Sequence, residues 1–378
     1  MEIYVVQLGD TIDAIAERYG VTVESLSYIN QIPYPYALAV GQAILIDTGT
    51  QTISTRIAQV NGYAYPFISP WVLNESLPYL TNLLVFSYGF TPEGELLPPN
   101  TSDERMREAA REAGRNSVLT LTPLGADGRF NNNLIHQMLT NTSAKERLMD
   151  ELLYAMQENG FAGVDVDFEY ILAEDRDMFT AFVAELQRKM SANGYRVSVA
   201  LAPKTSADQP GLLYQGKDYQ GLGEAADEVL LMTYEWGYKY GPAMAVAPLN
   251  KVRQVVEYAL TEIPSEKILL GIPNYGYDWT LPFIQGESEA LTIGNVQAVQ
   301  IAIANNAQIQ FDDLAQSPFF TYEDDGIMHE VWFEDVRSLQ RKYDLVEEYK
   351  LRGIGVWQIM RLTRAMWLLY ANRFLIST

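Results

Sequence analysis

The sequence predicts an α/β protein: a (β/α)8 TIM barrel that carries a small α+β insertion and follows a small βααβ domain. Beyond residue 55, apolar runs rich in β-branched residues alternate with helical patterns, which is typical of a parallel sheet built from βα units. The chain has 378 residues, more than the roughly 250 that such a barrel needs. The predicted barrel strands are Ile57 to Ala64, Leu83 to Phe90, Ser117 to Thr122, Gly163 to Tyr170, Arg196 to Ala202, Glu228 to Tyr234, Ile268 to Pro273 and Ile354 to Ile359.

Residues 1–48 predict the βααβ unit. Tyr4 to Val6 has the pattern of a strand, Thr11 is a helix N-cap, and Gly20 ends the first helix. A second helix begins at Thr22, and Leu38 to Ile46 supplies a closing strand. The unit resembles the LysM module, which implies binding of glycans that contain N-acetylglucosamine; a structural cap without a ligand is the alternative. The matching residues are Tyr4, Val6, Gly9, Asp10, Thr11, Ile15, Ala16, Tyr19, Gly20, Val21, Leu26, Asn30 and Gly41.

Residues 49–54 are predicted to be a linker, and residues 55–378 the barrel domain. About 80 residues separate the seventh and eighth predicted strands, far more than one connecting helix needs. Pro282 to about Trp332 is therefore predicted to be an α+β insertion beside the carboxyl ends of the strands. Ser143 to Glu146 has the pattern of a capping box that begins a helix, and Thr363 to Ser377 predicts the closing helix.

Composition narrows the function classes. A formal net charge of −21 argues against binding to nucleic acid or to an anionic membrane surface. The chain has no cysteine and only two histidines, His136 and His329, so we expect no disulfide, no histidine or thiolate metal site and no serine triad. We expect neither a metal nor a cofactor. No signal-peptide pattern is present, and no apolar run approaches about 18 residues, so the sequence predicts no membrane span.

The stretch from Gly163 to Tyr170 carries the chemistry. Alternation at the strand period places Asp165, Asp167 and Glu169 on one face, with neighbouring carboxyl groups roughly 6–7 Å apart. Three aligned acids repel one another, which favours a carboxylate relay in which the inner acids keep Glu169 protonated near neutral pH, as a general acid requires. A solvated strand face and a cation site are the alternatives.

Ala162 to Glu169 resembles the signature of family 18 glycoside hydrolases, Asp-Gly-x-Asp-x-Asp-x-Glu, with alanine at the first aspartate. Met232 to Glu235 resembles the family's Met-x-Tyr-Asp, with glutamate at the last position, and Gly271 to Gly276 matches Gly-x-Pro-x-Tyr-Gly. Trp357 stands where the family has the tryptophan that floors the sugar pocket. Thr120 to Pro123 departs from the Ser-x-Gly-Gly of many chitinases.

The resemblance implies a retaining, substrate-assisted mechanism. Glu169 would protonate the glycosidic oxygen while the 2-acetamido carbonyl of the substrate attacks the anomeric carbon. Asp167 would orient the acetamide, Asp165 would share a proton with Asp167, Tyr234 would hydrogen-bond the acetamide oxygen, and Trp357 would stack under the sugar. Burial in the barrel core is the alternative for the aromatic residues. Further substrate contacts are expected from Glu235, Trp236 and Tyr275.

One LysM-like unit joined to this barrel resembles the spore-associated branch of the family, the cortex-lytic enzymes of endospore-forming bacteria. The resemblance implies an N-acetylglucosaminidase that acts on cortical peptidoglycan and is deposited on the spore, in the cortex or coat, after synthesis in the mother cell. A chitinase acting on another N-acetylglucosamine-containing glycan is one alternative. A catalytically silent glycan-binding or coat protein is another, and the presence of Glu169 argues against it.

Overall fold

The computed structural model describes residues 1–49 and 55–377, so most of the predicted linker lies outside the described residues. The first domain contains β1 (Glu2–Val5), α1 (Ile12–Tyr19), α2 (Val23–Asn30) and β2 (Ala43–Ile46), and β1 pairs antiparallel with β2. Thr11 caps α1, because its Oγ1 accepts a hydrogen bond from the Ala14 backbone at 3.2 Å. Gly20 ends the helix in the left-handed conformation.

The remaining strands and helices follow in chain order. The strands are β3 (Ile57–Ala64), β4 (Asn82–Phe90), β5 (Leu96–Leu97), β6 (Asn116–Leu121), β7 (Gly163–Val166), β8 (Arg196–Leu201), β9 (Glu228–Leu231), β10 (Ile268–Pro273), β11 (Gly276–Thr280), β12 (Leu291–Ile293), β13 (Gln310–Asp312), β14 (Ser317–Asp324), β15 (Ile327–Trp332), β16 (Gly353–Trp357) and β17 (Leu375–Ile376). The helices are α3 (Pro70–Ser76), α4 (Glu104–Glu112), α5 (Asn133–Thr140), α6 (Thr142–Asn159), α7 (Arg176–Ser191), α8 (Tyr219–Ala225), α9 (Leu249–Glu262), α10 (Asn295–Ala304), α11 (Val336–Glu348) and α12 (Arg364–Arg373). Among the described residues, none of these helices is long and apolar enough to cross a bilayer.

The predicted barrel is confirmed. Strands β3, β4, β6, β7, β8, β9, β10 and β16 form a parallel sheet that closes because β3 pairs with both β4 and β16. The outward-facing residues of β7 pack under the helices: the ring of Phe168, just beyond the strand, lies 5.8 Å from Phe179 and 6.3 Å from Phe182 of α7. The alternation therefore directs the acids of this stretch into the barrel, as predicted.

Two barrel strands end three or four residues earlier than the sequence predicts. β7 ends at Val166 rather than Tyr170, because the Phe168 carbonyl accepts a hydrogen bond from the side chain of Lys217 instead of pairing with a neighbouring strand. β9 ends at Leu231, because the backbone turns back on itself and the Thr233 N–H donates to the Leu231 carbonyl at 2.8 Å. Both acid-bearing segments thus leave the sheet as they reach the mouth of the barrel.

The α6 N-terminus also differs from the prediction. The N-cap is Asn141, whose side chain accepts a hydrogen bond from the Ala144 backbone at 3.2 Å, and Ser143 lies inside the helix. Asparagine is as good an N-cap as serine, so the helix begins two residues before the predicted capping box.

The insertion between β10 and β16 is a five-stranded antiparallel sheet in the order β12–β11–β15–β14–β13, with α10 against it. It begins at Gly276 rather than Pro282, because β11 pairs with β15 and belongs to the insertion. Ile293, Ala298, Phe320 and Val331 form its apolar core.

The first domain is docked on the barrel domain. The Arg364 guanidinium of α12 lies 4.1 Å from the centre of the Tyr28 ring and pairs with Glu75 at 2.9 Å. The Ile309 N–H donates to the Val40 carbonyl at 2.9 Å. Gly41 has φ +85°, and a Cβ there would lie 1.8 Å from the Ile309 carbonyl oxygen, so only glycine permits this close approach.

Candidate active site

A cleft of about 470 Å³ opens at the carboxyl ends of the barrel strands. In (β/α)8 barrels this end carries the chemistry. The cleft is lined by Phe86, Asp167, Glu169, Tyr170, Ala202, Pro203, Leu213, Tyr214, Met232, Tyr234, Glu235, Trp236, Tyr238, Tyr277 and Trp357. The structure therefore brings six of the eight predicted site residues to one surface; the exceptions are Asp165 and Tyr275.

Asp165 lies beneath the cleft floor with no exposed surface. Its carboxylate accepts hydrogen bonds from the Ser198 hydroxyl at 2.5 Å and from the Tyr63 hydroxyl at 3.0 Å. Burial raises the pKa of Asp165 to about 6, against the lowering effect of these two donors. The group therefore exchanges its proton within the neutral range.

Asp167 is the next acid towards the cleft, and it is 8% exposed. Among the described residues, its Oδ1 has no hydrogen-bond partner although the atom is buried. Burial raises the pKa of Asp167 well above its usual range, the charges of Glu169 and Asp165 raise it further, and the Lys217 ammonium opposes the rise. A buried acceptor left open beside a cleft is available to a bound molecule.

Glu169 reaches the cleft itself, and part of its side chain is exposed there. The surrounding walls still withdraw water from the carboxyl group, so burial raises the pKa of Glu169, against the effect of Lys217. A carboxyl group with a raised pKa can donate a proton to a bound molecule near neutral pH.

Glu235 lines the same cleft and has an unusual backbone conformation. Its φ of +68° is in the left-handed region, which costs a non-glycine residue on the order of 1–3 kcal/mol. Its carboxylate accepts hydrogen bonds from the hydroxyls of Tyr275 and Tyr277, the latter at 2.9 Å. Burial raises the pKa of Glu235, and both hydroxyls oppose the rise. Tyr275 is itself 4% exposed and lies behind Glu235 rather than on the cleft surface.

Aromatic side chains form much of the remaining wall. The half-buried Trp357 ring at the end of β16 packs edge-on against Phe86, with centroids 4.7 Å apart. Tyr234 and Trp236 are also half-buried, and each packs with one side against the core and faces the cleft with the other. These rings therefore contact both the core and the cleft.

One group of side chains elsewhere could offer three ligands to a metal ion. His136, Glu174 and Asp175 have ligand atoms within 4.8 Å of one another. None of the three lines the cleft, and His136 Nδ1 already lies 2.9 Å from both Asp175 oxygens. The cleft itself is lined by three carboxyl groups together with aromatic and aliphatic side chains.

Sequence reasoning missed three residues that contact the acid stretch: Tyr63, Ser198 and Lys217. Ser198 is a polar residue in an otherwise apolar strand, and that irregularity was the available signal. Tyr63 reads as an ordinary strand residue, and Lys217 lies in a connecting segment without a pattern.

Comparison with known proteins agrees with this geometry. Residues 62–361 match the family described as glycosyl hydrolases family 18, and residues 4–47 match the LysM domain. The chain is 37% identical to the cortical fragment-lytic enzyme of Bacillus subtilis (strain 168), over 99% of this chain and 98% of that protein.

Solved structures give the same picture. The spore cortex-lytic enzyme SleL of Bacillus megaterium QM B1551 is similar with a TM-score of 0.82 and 34% identity, over 99% of this chain and 87% of that one. A chitinase from Chromobacterium violaceum ATCC 12472 is similar with a TM-score of 0.76 and 25% identity, over 83% of this chain and 98% of that one.

Proposed function

Because the chain belongs to family 18 of the glycosyl hydrolases, we propose that it cleaves β-linked N-acetylglucosamine in peptidoglycan, with the spore cortex as its target. The family and the LysM domain were both identified from sequence motifs, and both identifications are confirmed. The chain is a glycosidase. The glycan and the roles of individual residues are the proposal.

The pair formed by Glu169 and Asp167 carries the proposal. Glu169 offers a carboxyl group with a raised pKa at the cleft surface, and Asp167 offers an unpartnered, buried oxygen beside it. The first suits protonation of a glycosidic oxygen, and the second suits acceptance of a hydrogen bond from the N–H of a 2-acetamido group. A substrate that carries both features uses both residues at once.

The proposed reaction then balances without a second carboxylate nucleophile. Glu169 gives its proton to the glycosidic oxygen as the bond from that oxygen to the anomeric carbon breaks, and the acetamide oxygen of the substrate bonds to that carbon. Asp167 accepts the acetamide N–H and stabilises the positive oxazolinium that forms, and Tyr234 donates to the acetamide oxygen. Water next attacks the anomeric carbon and gives its proton to Glu169, while the bond from that carbon to the acetamide oxygen breaks. The sugar is released with retained configuration, and the acetamide and the acid are restored.

Asp165, which lies beneath the cleft floor, supports this reaction cycle by responding to the charge on Asp167. Its pKa of about 6 lets it hold a proton or a charge as the charge on Asp167 changes. Trp357 supplies a ring on which a sugar can stack, and Glu235 and Trp236 supply polar and apolar contacts from the segment after β9. Tyr275 acts through Glu235, which it holds in place.

The choice of glycan rests on the relatives. Two of them are named for the lysis of spore cortex or its fragments, and the chain matches them over nearly its whole length. A LysM domain suits an insoluble glycan that contains N-acetylglucosamine, so we propose that the protein acts while bound to the spore, in its cortex or coat. Chitin is the second candidate, because a chitinase shares the barrel.

The test compares the protein with its Glu169→Gln variant on purified spore-cortex peptidoglycan, vegetative peptidoglycan and chitin oligomers, with released reducing ends identified by mass spectrometry. The glutamine side chain cannot act as the acid, so activity should fall by at least about 10²-fold while glycan binding persists. Glu174→Gln is the matched control, since Glu174 is exposed and lies outside the cleft. It should behave as the parent.

Release of N-acetylglucosamine ends from cortex by the parent and the control alone is the expected result. Turnover of chitin oligomers without any turnover of peptidoglycan would overturn the proposed glycan. Full activity of Glu169→Gln would overturn the proposed role of Glu169. Glycan binding by the parent without any turnover would show that the protein binds glycan but does not cleave it.

A further inference from the structure

A buried lysine supports the acid stretch from behind. Lys217 has no exposed surface. Its ammonium group donates hydrogen bonds to the carbonyl oxygen of Phe168 and, at 3.2 Å, to that of Ala200. Phe168 is the residue between Asp167 and Glu169, so one cation holds the peptide that joins these two acids.

The position of this contact explains why a donor is needed there. The Asp167 N–H still donates to the Leu121 carbonyl of β6 at 2.9 Å, but the chain then leaves the sheet. A buried carbonyl without a partner costs about 1–3 kcal/mol, and the Lys217 ammonium satisfies that of Phe168. The second bond, to Ala200 of β8, ties the freed segment to the neighbouring strand.

Lys217 is in turn fixed by its surroundings. The ammonium of Lys204, which is 2% exposed, donates to the carbonyl oxygens of Lys217 and Ala207, each at 3.0 Å. The Phe179 ring lies 5.2 Å from the Lys217 ammonium. Such a rigid arrangement can set the place of a neighbouring peptide.

The Lys217 charge also acts on both acids. It opposes the burial that raises the pKa values of Asp167 and Glu169. The other titratable groups that interact with this pair are acidic, so none of them supplies it with a positive charge; they are Asp165, Glu235, Tyr63, Tyr65, Tyr170 and Tyr234. A buried ammonium is itself costly unless a negative charge lies near it, so Lys217 and an ionised carboxylate of the pair stabilise each other.

We propose that Lys217 is a positioning residue for the hydrolytic reaction: through the Phe168 carbonyl it fixes the orientation of Asp167 and Glu169, and through its charge it keeps one of them ionised. The inference rests on the roles proposed above for these two acids.

The test is Lys217→Met, which keeps an unbranched side chain only one atom shorter but removes the charge and the donors. On soluble chitin oligomers kcat should fall roughly 10- to 100-fold, because the acids lose their fixed place, whereas KM should change less than about 3-fold. Loss of the cation raises both carboxyl pKa values, so both limbs of the pH–rate profile should move towards higher pH by on the order of one unit.

Lys342→Met is the matched control. Lys342 is equally buried, but its ammonium pairs with Glu334 at 2.8 Å, and neither residue lines the cleft. It should lower the melting temperature without moving the pH profile. A third variant, Lys217→Gln, keeps a donor for the Phe168 carbonyl without the charge. It should lose less of kcat than Lys217→Met while showing the same shift of the profile.

A Lys217→Met protein with the parent's kcat and pH profile would overturn the inference, whatever its melting temperature. If Lys217→Met does not fold, an unshifted profile of Lys217→Gln overturns it. The Glu169→Gln variant separates the two claims. If that variant is inactive and the Lys217 variants match the parent, only the role of Lys217 fails, whereas an active Glu169→Gln protein removes the premise.

Discussion

The two ends of the barrel bury acidic side chains in opposite ways. At the amino ends of the strands, Glu228 is 6% exposed; its Oε2 forms an ion pair with the Arg352 guanidinium at 2.8 Å and accepts a hydrogen bond from Gln59 at 2.7 Å. At the carboxyl ends, Asp167 is 8% exposed, and its Oδ1 has no partner among the described residues. The two acids are buried to the same extent but are not equally satisfied.

The difference separates a structural acid from a reactive one. A buried carboxylate that is paired with a cation and an amide donor has few free lone pairs for a ligand. Its removal lowers the stability of the fold. An acid whose burial raises its pKa, and which has an oxygen without a partner beside a cleft, destabilises the fold. Such an acid is expected at a functional site. Burial does not distinguish the two acids, since both lie inside the same barrel; their hydrogen-bond and ion-pair partners do.

Asp167→Asn should have the largest effect on activity. The amide keeps the shape but removes the charge that would stabilise the oxazolinium, so kcat should fall roughly 10²- to 10⁴-fold with KM nearly unchanged. The free energy of unfolding should not fall, because an unpartnered buried carboxylate is lost. Steady-state kinetics on chitin oligomers and urea unfolding at pH 7 measure both. A loss of stability with kcat intact would mean that Asp167 resembles Glu228, and the comparison would fail.

Asp165→Asn tests an acid that is intermediate between Glu228 and Asp167. Asp165 is fully buried, and its carboxylate accepts hydrogen bonds from two hydroxyl donors. Its pKa in the fold is about 6, above the value of about 3.9 in the unfolded chain. The raised pKa means that its contribution to stability is complete below about pH 4 and is lost as the pH rises through 6, a change of about 3 kcal/mol. The amide does not titrate, so the stability of the variant relative to the parent should increase between pH 4 and pH 7.

Urea unfolding at pH 4, 5.5 and 7 measures this difference. Asp208→Asn is the control, because Asp208 is exposed in a connecting segment, and its stability should follow the parent at every pH. A constant difference between Asp165→Asn and the parent would show that Asp165 stays ionised throughout. It would then be satisfied by Tyr63 and Ser198, as Glu228 is by its partners.

The barrel and its acidic face could be predicted from the sequence, because both are written in local patterns. The strand period alone places Asp165, Asp167 and Glu169 on one side, and the packing of Phe168 on α7 confirms the facing. The point where β7 ends could not be predicted in this way, because it depends on Lys217, which lies about 50 residues further along the chain.

Contacts between distant parts of the chain account for most of what was missed. The docking of the first domain depends on Arg364 meeting Tyr28, and the insertion begins early because β11 pairs with β15. Tyr63 and Ser198 find Asp165 only when the barrel closes. None of these partners carries a local signature, since each is an ordinary residue for its element.

Glu228→Gln should have the smallest effect on activity and a clear one on stability. The amide can still accept one hydrogen bond, but the Arg352 charge loses its partner. Because the Arg352 side chain is a quarter exposed, we expect the free energy of unfolding to fall by about 2 kcal/mol, less than the cost of breaking a fully buried pair. Thermal unfolding together with kcat and KM on chitin oligomers measures both. The Glu228 charge raises the pKa of Asp165, so the variant should lower that pKa. The pH–rate profile should then shift slightly towards lower pH, while kcat at the optimum stays that of the parent. A large loss of kcat would instead show that the two ends of the barrel work as one network.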